Sequence, residues 1–466
     1  MLFSSPEFIL LFLPAVALVY YILPKRAKND WLLLASLFFY AWGEPKFVFV
    51  MLLSIVFNYY AALAVEKREK NSQKRKAALV LTVTFNLALL FVFKYLNFAT
   101  GILQSVFPSV SQTNIALPIG ISFFTFQAMS YVIDVYRGIP AQKNIRSLGL
   151  YISFFPQLIA GPIVRYTTVM DEIESRSVAP EDVSEGIRRF LIGFNKKILL
   201  ANAMAEVADK AFAAAELSVG MAWLGIVCYD LQIFFDFCGY SDMAIGLGRM
   251  FGFHFLENFN YPYISKSVTE FWRRWHISLG SWFRDYVYFP LGGSHVKSKG
   301  RLVLNLAVVW LLTGVWHGAN YTFLLWGALH GVLIIAEKLT DFPKKIEKNG
   351  FIIGLSRIYT LLAVSIGWVF FRADSISAAW SYLGAMFGGA ALSDSLFRFE
   401  LREYALVLAA ALLCATPVFK ILSEKSEERG SCLGSVIDWL VDIILFTVSL
   451  SFLIMNAYNP FIYFNF

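Results

Sequence analysis

Phe271-Trp-Arg-Arg-Trp-His-Ile-Ser-Leu-Gly-Ser-Trp-Phe-Arg-Asp-Tyr286 sets a histidine and a cationic cluster among aromatic rings, and Trp316-His317-Gly318 follows inside an apolar run. Ionisable side chains are costly within a bilayer and are found there where something uses them. Histidine is also the side chain whose proton comes and goes near neutral pH. With 58% hydrophobic and 16% charged residues, the chain reads as a polytopic membrane protein whose interior handles protons.

Working outward, apolar runs predict spans near Phe8 to Leu23, Trp31 to Trp42, Phe47 to Val65, Ala77 to Tyr95, Ile115 to Val135, Gly149 to Val164 and Phe190 to Met204. Further runs follow at Ala222 to Gly239, Leu302 to Trp316, Tyr321 to Ile335, Ile352 to Phe371, Tyr404 to Leu422 and Ile437 to Met455. Several are shorter than the roughly 20 residues that an upright helix needs. The expectation is therefore about 10 to 12 true crossings plus re-entrant or interfacial pieces. The polar interruptions at Glu66 to Lys76, Asp171 to Arg189, Asp341 to Gly350 and Ser423 to Ser431 are too short for a separate soluble domain. No internal repeat is visible, which counts against the repeat architecture common among transporters.

Met1 to Glu7 carries Ser, Pro and Glu but no basic leader, so a cleaved signal peptide is not expected. Lys25, Arg26 and Lys28, then Lys67, Arg68, Lys70, Lys74, Arg75 and Lys76, mark cytoplasmic loops. That assignment places the N-terminus outside if the second and third runs form a tight pair turning at Gly43-Glu44-Pro45. The net charge of +7 is mostly this topological bias and does not point to nucleic acid. Cys228, Cys238, Cys414 and Cys432 lack metal-ligand spacing and read as buried thiols. Pro180 followed by Glu181 and Asp182 opens a helix, with Arg188, Arg189, Lys196 and Lys197 read as cations snorkelling where it enters the membrane.

If residues 271–286 are helical, Trp275, Leu279, Trp282 and Tyr286 form one aromatic stripe, with Arg273, Arg274, Arg284 and Asp285 on the opposite face. Such a helix lies at a water boundary rather than crossing the bilayer. His276 projects between the two faces. The arginines suit either donor phosphates or lipid headgroups. Of the other histidines, His254 and His295 read as loop residues. His317 and His330, if they share one straight helix, stand roughly 20 Å apart on different faces and cannot share a proton. His276 is then the better partner for His317, with Asn320 and Tyr321 on the helix face of His317 to orient the ring or donate to an oxyanion. No metal is expected, since no His-x-x-x-His or Cys pair is present.

These strings, with Phe38-Phe-Tyr-Ala-Trp-Gly43, Ala160-Gly-Pro-Ile163, Asp236-Phe-Cys-Gly-Tyr-Ser-Asp242, Asn258-Phe-Asn-Tyr-Pro-Tyr263, Pro290-Leu-Gly-Gly-Ser, Gly314-Val-Trp-His-Gly-Ala-Asn320 and Trp326-Gly-Ala-Leu-His-Gly331, closely resemble the membrane-bound O-acyltransferase family. The branch it looks like O-acetylates alginate and peptidoglycan, with the teichoic acid D-alanylation membrane protein as a cousin. The resemblance runs essentially end to end. It implies an all-α ring of helices around a thin central funnel, formed by residues 1–466 as one membrane-embedded domain. It implies His317 as the principal catalytic histidine, His276 as its partner and His330 as a recurrent third, with Trp316 in support. It also implies acetyl-CoA as the cytoplasmic acyl donor, no bound cofactor, and a polysaccharide acceptor outside the cytoplasmic membrane.

The ending Phe461-Ile-Tyr-Phe-Asn-Phe466, within a tail at 457–466, resembles the Phe-x-Tyr-x-x-Phe terminus of the small companion protein of teichoic acid D-alanylation. There the tyrosine is thought to carry the acyl group, which makes Tyr463 a candidate relay; the plainer reading is an aromatic interface anchor. No exported serine hydrolase domain is attached, so an extracytoplasmic SGNH-type acetyltransferase partner is expected. The rival readings are D-alanyl-type transfer from a carrier protein and, in a different class, a polysaccharide or lipid transporter.

Overall fold

The computed structural model describes residues 1–346, 350–422, 432–455 and 462. It contains helices and no β-strand among the described residues. The longer helices are α1 (Leu13–Ile22), α2 (Lys25–Gly43), α3 (Val48–Glu66), α4 (Gln73–Val106), α5 (Ile121–Arg137), α6 (Ile145–Ser153), α7 (Tyr166–Glu174), α8 (Pro180–Asn195) and α9 (Asn202–Ala213). After them come α10 (Val219–Met250), α11 (Val268–Arg274), α12 (Ile277–Phe283), α13 (Lys299–His317), α14 (Tyr321–Leu339), α15 (Gly350–Arg372), α16 (Ile376–Phe387), α17 (Ser395–Cys414) and α18 (Cys432–Met455). Among the described residues, seven helical segments are long and apolar enough to cross a membrane: α3, α4, α10, α13, α14, α15 and residues Val436–Met455 of α18. Other apolar runs form shorter pieces. The run from Gly149 to Val164 breaks after Ser153 and resumes as the single buried turn Phe155–Leu158.

The chain forms two compact units, Met1–Phe190 with Tyr240–Leu256, and Leu191–Gly239 with Glu257–Phe466. In the first, α3 packs on α4 and α5, and the Asn58 and Asn86 amides donate to each other's carbonyl oxygens at 3.2 and 2.9 Å. Such a reciprocal pair satisfies polar groups that lipid cannot. The chain does turn at Glu44 after α2, but α2 packs chiefly on α6 and α3 chiefly on α5, so the expected tight pair is not what holds either helix.

Two cations read as membrane-surface anchors are held by carboxylates instead, one of them fully inside the protein. Arg189 Nη2 lies 2.6 Å from Asp242 Oδ1 in the first unit. In the second, Lys197 is 2% exposed, with Nζ 2.6 Å from Asp236 Oδ1 and donating to Asn202 Oδ1 at 2.9 Å. A charge at this depth is tolerated because its partner travels with it; the sequence pattern shows the cations but not which acids face them. α13 and α14 form a close hairpin. A Cβ on Gly327 would sit 2.6 Å from Trp310 O and one on Gly314 2.6 Å from Phe323 O, so both positions need glycine for the backbones to meet.

Candidate active site

The site lies within the second unit and begins with a capped helix. Ser267 Oγ accepts from Glu270 N, and Glu270 Oε2 accepts from Lys266 N, which closes the start of α11. Buried Glu337 of α14 accepts the next two N–H groups, from Val268 at 2.7 Å and Thr269 at 2.8 Å. A carboxylate at a helix N-terminus is favourable both as acceptor and against the helix dipole. α11 is thereby fixed on α14 with Trp272 inside.

Residues 271–286 are not one helix. The chain breaks at Trp275, and His276 adopts φ 44° and ψ 54°, the left-handed region. For a non-glycine residue this costs on the order of 1–2 kcal/mol. Backbone bonds across the break hold it: Asn260 N donates to Arg274 O and Ile277 N donates to Asn258 O. The stripe keeps its burial at Trp275, Leu279 and Trp282 although its helix is interrupted. The turn sends the His276 ring inward, 2% exposed, with Nδ1 3.2 Å from Asn258 Oδ1 and the ring edge-on to Phe237 at 4.6 Å.

His317 is the last residue of α13, 5% exposed, its ring set between Trp316, Trp326 and Phe371 at 5.0, 4.9 and 5.0 Å. α14 begins after a break, so His317 and His330 do not share a helix and the separation expected from a straight helix does not apply. Both rings border Trp326, His330 at 5.1 Å, which puts their centroids within about 10 Å of each other. His276 joins through Trp316, whose ring lies 6.1 Å from it, so His276 and His317 are within about 11 Å. His330 is fully buried; its Nδ1 accepts from Trp272 Nε1 at 3.3 Å, and a Cβ on Gly367 of α15 would come within 2.6 Å of its Nε2.

The break also removes Asn320 and Tyr321 from the helix face of His317. Asn320 caps α14, its Oδ1 accepting from Thr322 N at 3.1 Å while Nδ2 donates to Asp374 O at 3.1 Å. Its amide serves the cap and the chain after α15. Tyr321 is half exposed at the start of α14. Arg274 is paired with Glu270 and Arg284 with Asp285, while Arg273 stays exposed with no ion partner among the described residues. Tyr463 lies outside the described residues.

Two residues that sequence reasoning left without a role emerge here, Asn258 and Trp272. Asn258 stands in a quoted motif, but 18 residues separate it from His276 and only the folded break brings them together.

Fold and site describe a multi-pass helical membrane protein that holds three imidazoles behind a wall of tryptophans. The chain belongs to the membrane-bound O-acyltransferase family, whose model matches residues 41–344, and it is an acyltransferase. It is 44% identical over 84% of its length to a protein of Azotobacter vinelandii described as "Probable alginate O-acetylase AlgI", covering 80% of that protein. It is 34% identical over its whole length to the peptidoglycan O-acetyltransferase of Helicobacter pylori, covering 98% of it. With the teichoic acid D-alanyltransferase of Bacillus subtilis it shares 31% identity over 54% of its length and 66% of the relative's. Membership as an acyltransferase replaces the transporter reading.

Proposed function

We propose that residues 1–466 act as one O-acetyltransferase domain in the cytoplasmic membrane, moving acetyl from acetyl-CoA in the cytosol toward an extracytoplasmic polysaccharide of the alginate or peptidoglycan kind. The observation that carries this reading is the convergence of His276, His317 and His330 on shared tryptophan rings, in a chain similar to two kinds of polysaccharide O-acetylase. The acceptor oxygen attacks the thioester carbonyl carbon, an imidazole of the pair His317 and His276 takes the hydroxyl proton, the C–S bond breaks, and the leaving thiolate recovers a proton. Bilayer thickness supplies the reason for such an enzyme: acetyl is activated on a carrier that cannot cross roughly 30 Å of hydrocarbon.

Tyr463 is read as a relay that accepts acetyl and hands it to an SGNH-type partner. A phenol of pKa about 10 gives an ester more activated than a sugar's, so thioester to tyrosyl ester to sugar ester runs downhill. Support comes from Ile462, the residue before it, which is buried and donates its backbone N–H to Asp236 Oδ2 at 2.8 Å. The next residue, Phe237, packs on His276. Arg273, Arg274 and Arg284 serve headgroups or the donor's phosphates. The ion pairs of the latter two favour headgroups for them.

The test is purified protein in proteoliposomes given labelled acetyl-CoA. Labelled acetyl should be found on the C-terminal peptide, removable by hydroxylamine, and Tyr463→Phe should abolish both the label and polysaccharide acetylation while the protein stays folded. Full acetylation by the Phe variant would reduce the tail to an anchor. The D-alanyl reading predicts instead that acetyl-CoA leaves no label and that a D-alanyl carrier thioester does.

A further inference from the structure

The buried hydrogen-bonding groups around His276 fix more than its position. Three donors converge on Asn258 Oδ1: Ser278 N at 3.1 Å, Ser278 Oγ at 2.8 Å and His276 Nδ1 at 3.2 Å. A backbone N–H can only donate, so the Asn258 atom facing Ser278 N must be the carbonyl oxygen, and the amide orientation follows from the network. A carbonyl oxygen cannot donate. His276 Nδ1 must then carry the proton, and the same N–H also lies 3.4 Å from Ser278 Oγ, whose own hydrogen is committed to Asn258.

Two polar atoms are left over. In a neutral imidazole protonated at Nδ1, Nε2 bears the lone pair. His276 Nε2 is buried and has no hydrogen-bond partner among the described residues, and neither has Asn258 Nδ2. Buried polar atoms without partners are rare enough to need a reason, and a catalytic role is a common one. Here one acceptor and one donor stand on two side chains already locked together. Acyl transfer to a hydroxyl needs this complement: an acceptor for the hydroxyl proton and a donor for the carbonyl oxygen as it gains negative charge. Asn320, the donor expected from sequence, is instead turned to the start of α14 and to Asp374 O.

We infer that Asn258 organises acyl transfer in two ways: its Oδ1 holds His276 in the Nδ1–H tautomer, making Nε2 the proton acceptor, and its Nδ2 donates to the carbonyl oxygen of the thioester. The hydroxyl oxygen bonds to the carbonyl carbon while its proton passes to His276 Nε2. The tetrahedral oxyanion is held by Asn258 Nδ2–H. On collapse the C–S bond breaks and the thiolate takes the proton back from Nε2, returning the imidazole to its starting tautomer. This rests on the acyl-transfer reading above, but its first half concerns the resting protein and is tested without turnover.

The experiment uses the full chain in nanodiscs with 15N-labelled histidine, the His276 signals being assigned by their loss in His276→Gln. In the wild type, Nε2 should resonate as the unprotonated ring nitrogen. A protonated Nε2 at neutral pH overturns the proposal whatever the enzyme transfers. Asn258→Asp keeps an acceptor for Nδ1 and Ser278 N but replaces the Nδ2 donor, so the tautomer should persist while kcat for labelled acetyl transfer falls about 10²- to 10³-fold. KM for the thioester should change less than about threefold. A purely structural role for Asn258 predicts equal losses of folded protein and activity, with no such split. Wild-type kcat in Asn258→Asp overturns the donor assignment. Absence of any transfer by the wild type would sink the acetyltransferase reading while leaving the tautomer result to stand or fall alone.

Discussion

Two breaks between helices each carry a histidine and an asparagine, and they use them differently. At the first, between α11 and α12, Asn258 comes from 18 residues upstream, is fully buried, and binds the ring of His276. At the second, between α13 and α14, Asn320 follows His317 by three residues, lies at the edge of the site, and binds only backbone. The asparagine nearest a histidine in sequence is therefore the capping residue, while the distant one serves the ring. The cause is geometric. The helix that starts just after His317 leaves orphan N–H groups in its first turn, and a short polar side chain at its N-cap is drawn to them.

Ways to break this comparison begin with the histidines themselves. His317→Ala should leave insertion and folding intact and lower acetyl transfer at least about 10²-fold, as expected when one imidazole of a working pair is lost. Retention of more than about a tenth of wild-type turnover would remove His317 from the chemistry. His276→Ala removes the proton acceptor itself and should cost about 10²- to 10⁴-fold; wild-type rates would make it a packing ring only and overturn the proton route through Nε2.

Asn320→Ala sharpens the contrast from the other side. It should cost about 1 kcal/mol of stability as a lost helix cap and leave turnover within about threefold. If it lowers kcat as much as Asn258→Asp does, the two breaks are equivalent and the distinction fails.

The smallest effect concerns a histidine outside the site. His254 in the first unit lies 2.8 Å from Glu172 Oε1 and 3.3 Å from Asp182 Oδ1. Partial burial pulls its pKa down, but hydrogen bonds and charges from those two carboxylates outweigh this and leave it raised above 6.5. A raised folded pKa means that its stabilisation is complete below the unfolded value and is lost as pH rises through the folded one. The ring is half exposed, so solvent screening keeps the effect small. The wild type should melt higher than His254→Gln at pH 6, by no more than about 2 °C, and the difference should vanish by pH 9. A gap that widens with pH would contradict the assignment.

Much of the molecule was legible in the order of its residues. Apolar runs cannot be left in water, so their lengths announce a membrane body, and a histidine such as His317 within one is conspicuous because it is expensive there. Proline and two acids at 180–182 marked the start of α8 for reasons internal to that turn. The family strings carried the acyltransferase class. What only tertiary structure decided are the matters that depend on which distant groups meet. The left-handed turn at His276 is stabilised by backbone bonds to residues 258 and 260, so a helical period read along 271–286 passes over it. Lys197 became a buried partner of Asp236 across 39 positions of sequence, and His317 and His330 came together on Trp326 where α13 and α14 approach closely at Gly314 and Gly327. Local sequence states which groups are costly to bury; only the fold supplies the partners that make burying them tolerable.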